Sequence, residues 1–252
     1  EAYQASRRVD VIKLQKAAQT SLEWFENADR YVHQTPAQFQ FNLMTRSKRI
    51  TYENLKLRDP ALVAQSDEEF RVAQGAALAS DGVPAPPAFT PLQVGGLKLE
   101  NRIVVSPMCQ YSAYEGFVTD WHVGHLASFA RGGAGLVFVE ATGVEARGRI
   151  TYGCTGIWTD GHVPGYRRIC EMVKSLGSVP AIQLAHAGRK GSAQRPWHGN
   201  DVLTQEDFAR GEMNWQTVSA DAEPIFPHWV APHALSVEEI GVVRDAYVRA
   251  TK

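Results

Sequence analysis

The clearest pattern along the chain is an apolar, mostly β-branched run that ends abruptly in small, polar or sulfur-bearing residues. It occurs three times, at residues 103–111, 136–142 and 181–189. In a (β/α) barrel, binding and chemistry gather at the C-terminal ends of the strands. We therefore predict three neighbouring parallel strands that share one site, over residues 103–105, 136–139 and 181–184.

Helical periodicity fills the gaps between these strands. One helix is predicted over residues 121–131, before the C-cap signal Gly132-Gly133, and a second over residues 163–176. Residues 187–234 form a long excursion with several Trp and Pro residues, which we expect to be functional or lid-like. A capping box at 236–239 then opens a last helix. Alternation of this kind predicts an α/β fold with a parallel sheet and right-handed crossovers.

The first part of the chain has a different, helical pattern. Apolar residues recur at steps of three and four, at Val11, Leu14, Ala18, Leu22 and Phe25. Thr35 and Pro36 predict the start of a second helix, with Gln38 completing a capping box. This piece is expected to end near residues 58–60, and a further helix is expected at 68–77. Such helices cannot bury their apolar faces on each other alone, so we expect a further body against which they pack.

Residues 81–89 are Pro-rich and predict a stiff connector. We place the domain boundary there, with a helical tail over residues 1–82 and a βα domain over residues 83–252. The chain begins at Glu1 inside a helical pattern, and we interpret it as part of a longer protein.

Composition narrows the function. The chain has 26 Lys and Arg against 27 Asp and Glu, a formal charge of −1, which disfavours a nucleic-acid partner. No apolar run approaches the roughly 18 residues of a membrane span. The Cys residues are odd in number and scattered, which predicts no disulfide framework and a reducing, cytoplasmic location.

Two further patterns are read as structural. His122 and His125 lie three apart without a zinc-binding HExxH motif, so we interpret them as helix surface or packing and expect no metal. Residues 132–135 are Gly-rich but precede a strand, which predicts a turn and not a dinucleotide-binding loop.

Several motifs resemble the old yellow enzyme family of FMN-dependent ene-reductases. They stand in family order and at family spacing: LENRIVVSPMCQY at 99–111, GLVFVEAT at 135–142, GRI at 148–150, GIW at 156–158 and IQLAHAGRK at 182–190. The resemblance covers residues 90–240 and implies an eight-stranded barrel. The predicted fold class is thus α/β, a partial (β/α)8 TIM barrel of the first three to four βα units, preceded by a helical segment from another domain.

A second resemblance concerns residues 12–60. LEWFE at 22–26 and QFQFNLMTR at 38–46 resemble the C-terminal end of FAD-dependent aromatic hydroxylases. In tandem, the two halves resemble bifunctional monooxygenase–reductases that act on aryl-CoA thioesters such as anthraniloyl-CoA or salicylyl-CoA. That resemblance implies FAD in a missing N-terminal domain.

The old yellow enzyme resemblance implies which residues hold the flavin. The implied cofactor-binding residues are Ser106, Pro107, Met108, Cys109, Ala141 and Gln183. Cys109 and Tyr111 are implied to be catalytic, Cys109 by tuning the flavin potential and Tyr111 by contacting substrate.

Each of these residues also has a structural interpretation. Cys109 can be a small buried hydrophobe, and Gln183 a buried amide that is bonded to neighbouring backbone. Ala141 can be a small residue in a crowded layer, and Tyr111 a surface tyrosine. Arg189 is interpreted as a structural ion pair in preference to a cofactor contact.

The resemblance implies a flavin-dependent oxidoreductase that passes hydride from NAD(P)H, chiefly NADPH, through FMN to a small molecule. The substrate would be an aryl-CoA thioester or another activated alkene. Two alternatives stay open, a general NADPH-dependent ene-reductase on enones and a non-catalytic half-barrel docking module. Whether the protein forms a homo-oligomer is open. Strands four to eight carry the family's activating pair of histidine with histidine or asparagine, its proton-donating tyrosine and its phosphate-binding segments. We therefore expect the chain alone to bind FMN weakly or not at all.

Overall fold

The computed structural model describes residues 2–252. The chain forms two compact units, one ending at Lys98 and one over Leu99–Lys252. The first unit is mainly helical. Its helices are α1 (Ala2–Glu26), α2 (Pro36–Thr45), α3 (Tyr52–Arg58) and α4 (Pro60–Ala73), and two short paired strands follow, β1 (Leu92–Val94) and β2 (Leu97–Leu99).

Side-chain caps set the helix starts of the first unit. Thr35 Oγ1 accepts from the Gln38 backbone N–H at 3.3 Å, as predicted, although the described residues do not show the return bond of a capping box. Asp59 accepts from the Leu62 N–H at 3.0 Å, and Pro60 takes the first helical position. The Asp-Pro pair therefore opens α4 and does not close the segment. The helix predicted at 68–77 overlaps α4, which begins eight residues earlier and ends at Ala73.

The core of the first unit lies between α2, α3 and α4, where Ala37, Leu55, Leu62 and Val63 are buried together. The predicted apolar stripe of α1 is not part of it, because its members from Val11 to Phe25 are exposed. Among the side chains of α1 whose burial is described, Trp24 is the buried one, and it stacks on Tyr31 with ring centroids 4.9 Å apart.

The second unit alternates strands and helices. In chain order it contains β3 (Val104–Val105), α5 (Asp120–Arg131), β4 (Leu136–Gly143), α6 (Val163–Ser175), β5 (Val179–Ala185), α7 (Gln205–Ala209), β6 (Val218–Ser219), β7 (His233–Ala234) and α8 (Val237–Ala250). Strands β3, β4 and β5 form a parallel sheet in that order, with Val104 opposite Leu136 and Leu136 opposite Val179. The predicted α/β fold with a parallel sheet is confirmed.

Helices α5 and α6 cover one face of this sheet. Leu126 and Ala130 of α5 and Ile169 and Val173 of α6 are buried against Val137 and Val139 of β4, and Ile182 packs on the same cluster. Side chains alternate between the two faces of a strand. The opposite face is exposed at Val104 and Gln183.

Local signals account for the ends of the later elements. Gly132 caps α5 and Gly133 follows with φ of +87°, so the glycine run is the predicted turn. Ser236 and Glu239 form the predicted capping box of α8, with bonds of 3.2 and 2.8 Å. The excursion over residues 187–234 contains α7 and the short parallel pair β6–β7. Among residues 2–252, no helix has both the length and the apolar character needed to cross a membrane.

Candidate functional site

A β-bulge in β4 organises the C-terminal end of the sheet. Val139 pairs with Ile182, but the next pair is Ala141 with Gln183, so Glu140 is an extra residue in β4. A bulge re-aims the side chains that follow it. Here it places Ala141 beside Gln183, and it leaves Glu140 buried with 3% of its surface exposed.

The Glu140 carboxylate ties the loop after β3 to the sheet. Its Oε2 accepts from the Gln110 backbone N–H at 2.5 Å. Its Oε1 lies 3.9 Å from Nε2 of His122 on α5, and both side chains are 2% exposed. His122 Nδ1 accepts from the Thr119 N–H at 3.0 Å, so a neutral His122 carries its proton on Nε2 and directs it at Glu140. Of the two predictions for His122, surface is wrong and packing is confirmed.

Cys109 and Tyr111 meet next to Ala141. The Cys109 thiol lies close to the Ala141 backbone, and the Tyr111 side chain lies close to Cys109. Burial, reinforced by Cys154 and the Glu140 carboxylate, raises the pKa of Cys109 to about 11. Burial, with the same neighbours, raises the pKa of Tyr111 to about 12. Both groups are therefore neutral near pH 7 and keep their protons.

Tyr111 reaches Cys109 by a route that the sequence did not predict. The strand does not continue beyond Val105, and Tyr111 has φ of +49°, in the left-handed region. Gly153 lies directly against this turn, since a Cβ at that position would be 2.2 Å from the Tyr111 carbonyl oxygen. The absence of a side chain at Gly153 thus lets the Tyr111 backbone approach.

The remaining predicted residues of the first motif lie beside a small cavity next to α5. Ser106 and Met108 border this cavity of about 10 Å³, which His122 and Leu126 of α5 also line. Both residues are exposed, and Pro107 between them is half-buried. The flavin contact of Ser106 stays a prediction, because β3 ends at Val105 and strand alternation does not set the direction of this side chain.

Gln183 was predicted to be a buried amide, and this is wrong, since Gln183 is exposed on the face away from the helices. It lies opposite Ala141 in register, and Ala141 in turn lies close to the half-buried Cys109. An exposed amide carries both donors and an acceptor. The edge formed by Cys109, Ala141 and Gln183 therefore suits a planar, polar ring at the strand ends.

A cavity of about 120 Å³ lies above the ends of β4 and β5. It is lined by Ala141, Gly143, Cys154, His186 and Lys190, among others. Lys190 is close enough to Cys109 that its charge lowers the pKa of the thiol, against the larger effect of burial. Lys190 was not singled out from the sequence, although a cation at the end of a buried strand motif was a usable signal.

Arg149 and His186 hold the loops around this cavity. The Arg149 guanidinium lies 5.0 to 5.3 Å from the rings of Tyr152, Trp158 and Trp215, a cation–π cluster. His186 Nε2 lies 3.3 Å from Glu145 Oε2, which also accepts from Arg147 Nε at 2.9 Å. Burial lowers the pKa of His186, although Glu145 opposes this effect.

Arg189 has the structural role that was predicted for it. Its guanidinium donates to Ser219 Oγ and to Asp221 Oδ2 at 2.9 Å each. It therefore anchors the long excursion and does not line the cavity.

A family model described as the NADH:flavin oxidoreductase / NADH oxidase family matches residues 87–252. The chain belongs to this family. The sequence resemblance to the old yellow enzymes is thereby confirmed for those residues.

Relatives within the NADH:flavin oxidoreductase family include fungal and bacterial enzymes. An NADH:flavin oxidoreductase of Gibberella zeae is 37% identical over 164 residues, which are 65% of this chain and 40% of that protein. An NADPH dehydrogenase of Bacillus subtilis is 42% identical over 139 residues, which are 54% of this chain and 40% of that protein. The chain thus spans about two fifths of the length of these relatives.

Solved structures show the same family fold. A morphinone reductase in complex with tetrahydroNAD has a TM-score of 0.51 and 26% identity, over 66% of this chain and 45% of that one. An old yellow enzyme homologue from Zymomonas mobilis has a TM-score of 0.51 and 26% identity, over 66% and 44%. The predicted partial barrel is confirmed by this likeness.

Sequence reasoning missed Glu140 as well as Lys190. The signal was present, because Glu140 is a charged residue inside the apolar run of β4. Charged residues are almost never fully buried unless they are paired. Glu140 could therefore have been predicted to have a partner, although its identity depends on the bulge.

Proposed function

We propose that this chain forms one wall of the flavin site of an FMN-dependent NAD(P)H oxidoreductase that reduces activated alkenes. One observation carries the proposal. Cys109, Ala141 and Gln183 come from three adjacent parallel strands or their ends, and they meet at one edge of the sheet. In barrels this edge is where cofactors and chemistry lie.

The residues present fit an isoalloxazine ring. Gln183 offers an exposed amide to the polar edge of the ring, and Ala141 leaves room for it beside the sheet backbone. When bound, FMN would supply the chemistry of hydride transfer, accepting hydride from the nicotinamide and passing it to the substrate. The Cys109 thiol would bear on the ring as a neutral, weak hydrogen-bond donor.

Tyr111 and Lys190 provide the polar groups around the reacting position. Tyr111 keeps its phenolic proton because its pKa is raised to about 12, so it can donate a hydrogen bond to a substrate carbonyl. Lys190 adds a positive charge near the same edge, which stabilises negative charge that develops during reduction.

Substrate and nicotinamide preference are part of this proposal. The Bacillus subtilis relative carries the name NADPH dehydrogenase, which supports NADPH as the reductant. Within this proposal, Cys109 and Tyr111 are the catalytic residues, and the flavin contacts of Ser106, Pro107 and Met108 are made by their backbone.

The test is reduction of the flavin in the intact gene product. We expect the purified protein to show a visible flavin spectrum that NADPH bleaches anaerobically and that an added enone such as cyclohexenone restores. A preparation that remains colourless after incubation with FMN would contradict the proposal.

We further propose that residues 1–82 are the tail of an FAD-dependent aromatic hydroxylase and that residues 83–252 begin the reductase barrel. Residues 1–86 lie outside the family match, and α1 exposes large apolar residues that suit packing against a further body. The substrate would then be an aryl-CoA thioester. Turnover of anthraniloyl-CoA by the intact protein supports this finer assignment, whereas turnover of cyclohexenone alone supports a general ene-reductase.

A further inference from the structure

Trp197 is an exposed aromatic ring held beside the substrate-facing tyrosine. It lies in the long excursion after β5, and 60% of its surface is exposed. Its ring centroid is 6.0 Å from that of Tyr111, with the two planes at 80°. Edge-to-face pairs at this separation are favourable, so the excursion places a second aromatic ring at the position proposed for the substrate.

Arg195, two residues before Trp197, is held in place by an ion pair. Arg195 pairs with Glu212 at 2.9 Å, and Glu212 is buried with 6% exposed. Arg195 Nε also lies 2.7 Å from where a Cβ at Gly153 would be, at the same glycine that admits the Tyr111 backbone. The lack of a side chain at Gly153 therefore lets both the Tyr111 backbone and the Arg195 side chain, two residues before Trp197, approach the same position.

The residue after Trp197 is fixed by a buried carboxylate. Asp207 is 0% exposed and accepts from Gln194 Nε2 at 2.6 Å, from the Thr204 N–H at 2.7 Å, and from Arg210. Arg210 also contacts His198 Nδ1 at 3.2 Å. The segment 194–198 is thus held by a buried hydrogen bond at Gln194 and by an exposed contact at His198, while the Trp197 indole between them is exposed.

The same carboxylates could be considered a metal site, because ligand atoms of His198, Asp207 and Glu212 lie within 4.8 Å of one another. Arg195 and Arg210 already neutralise both carboxylates, and most of the Asp207 lone pairs are engaged in hydrogen bonds. The positive charges of the Arg195 and Arg210 guanidinium groups repel a further cation at this cluster. The cluster acts as a frame for the Trp197 turn.

We propose that Trp197 is a specificity-determining residue that, with Tyr111, binds an aromatic group of the substrate. This rests on the proposed function, which places the substrate at Tyr111. A large ring that is rigidly framed yet exposed binds at little entropic cost, because its position is set before the ligand arrives. The substrate class is an α,β-unsaturated carbonyl compound that bears an aryl group.

The experiment compares two enals that differ in one substituent, cinnamaldehyde with a phenyl group and crotonaldehyde with a methyl group. It uses the intact FMN-loaded protein. For Trp197→Leu we expect the KM for cinnamaldehyde to rise about tenfold while the KM for crotonaldehyde stays within about twofold, since only the phenyl group loses an aromatic partner. Trp197→Phe should retain most of the preference.

Trp229→Leu is the matched control, since Trp229 lies in the same excursion. Its indole N–H donates to Asp201, whereas the ring of Trp197 lies against the ring of Tyr111. It should leave both KM values unchanged. Binding of each enal is also followed through the flavin spectrum without NADPH, which separates affinity from turnover.

The outcomes distinguish the two proposals. If NADPH does not bleach the wild-type flavin, the proposed function fails, and this inference fails with it. If NADPH bleaches the flavin normally but Trp197→Leu changes both enals alike or neither, the role of Trp197 alone is overturned. Equal binding of the two enals by the wild-type protein also overturns it.

Discussion

The protonation of Cys109 is controlled by its immediate neighbours. Burial raises the pKa of the thiol to about 11, the nearby Glu140 carboxylate adds to this, and Lys190 opposes it. A neutral thiol is a poor nucleophile. At this residue, the structure therefore favours a hydrogen-bonding role over covalent chemistry.

We predict that the rate at which iodoacetamide alkylates Cys109 in the flavin-free protein rises with pH along a titration curve whose midpoint lies near pH 11. Replacement Glu140→Gln removes a negative charge that disfavours the thiolate, so it should move the midpoint to lower pH. The rate is measured by mass spectrometry of the peptide that contains Cys109, which separates it from Cys154 and Cys170.

Glu145→Gln serves as the control for this titration, because Glu145 is not among the groups that shift Cys109. Its midpoint should equal that of the wild type. A wild-type rate that reaches its plateau below pH 9 would show that the thiol is not held neutral as described.

At the scale of elements, α7 and the excursion depend on Asp207. Burial opposes its ionisation, but hydrogen bonds from Thr204 and Gln194 and the charge of Arg210 lower the pKa of Asp207 to about 2. A lowered pKa in the folded state stabilises the protein at pH above the unfolded value and loses this effect as pH falls through the folded value.

We predict that Asp207→Asn lowers the free energy of unfolding by about 3 kcal/mol at pH 7, because the site loses charge-assisted hydrogen bonds and the ion pair with the partly exposed Arg210. The deficit should shrink as pH falls from about 4 toward 2, because the wild-type carboxylate then becomes protonated. Urea unfolding at several pH values measures it. Asp201→Asn is the control, since Asp201 lies in the same excursion but is exposed, and it should cost less than about 1 kcal/mol. An equal cost at both sites would contradict the role of Asp207 in holding the Trp197 turn.

Elements with local signals were predictable from the sequence, and those set by pairing were not. The box at Ser236 and Glu239 and the glycine end of α5 were located correctly, because caps depend on residues a few positions apart. At Asp59-Pro60 the same rules also allowed a helix start, which was interpreted as an end. The bulge at Glu140 has no local signature, since it is defined by the register of β4 against β5.

The candidate site divides in the same way. Cys109, Tyr111, Ala141 and Gln183 were predicted as a group, and the structure brings them together, although their roles stay predictions. The direction of the Ser106 side chain could not be predicted, because β3 ends at Val105 and the residues beyond it have no strand partner that fixes their orientation.

At the scale of the whole molecule, several acids keep their protons longer in the folded state. Burial raises the pKa values of Tyr52, Tyr111 and Tyr166 to about 12 and that of Cys109 to about 11. In alkaline solution the unfolded chain therefore binds fewer protons than the folded chain. Stability must fall with rising pH in that range.

We predict that the free energy of unfolding declines steadily from about pH 9 to pH 11, because the unfolded groups ionise near 8.5 to 10. Urea unfolding at fixed ionic strength measures the decline. Tyr166→Phe should flatten the slope, although it loses the bond to the Gly156 carbonyl at neutral pH. A stability that is constant to pH 11 would contradict the raised pKa values.

The close approach at Gly153 has a consequence for redesign. The Tyr111 backbone and the Arg195 side chain both lie close to the Cα of Gly153. Even an alanine at this position would therefore displace Tyr111 and the segment that carries Trp197 at the same time. Mutant libraries that aim to widen or reshape the pocket should therefore keep position 153 invariant and vary position 197, where the change is confined to one side.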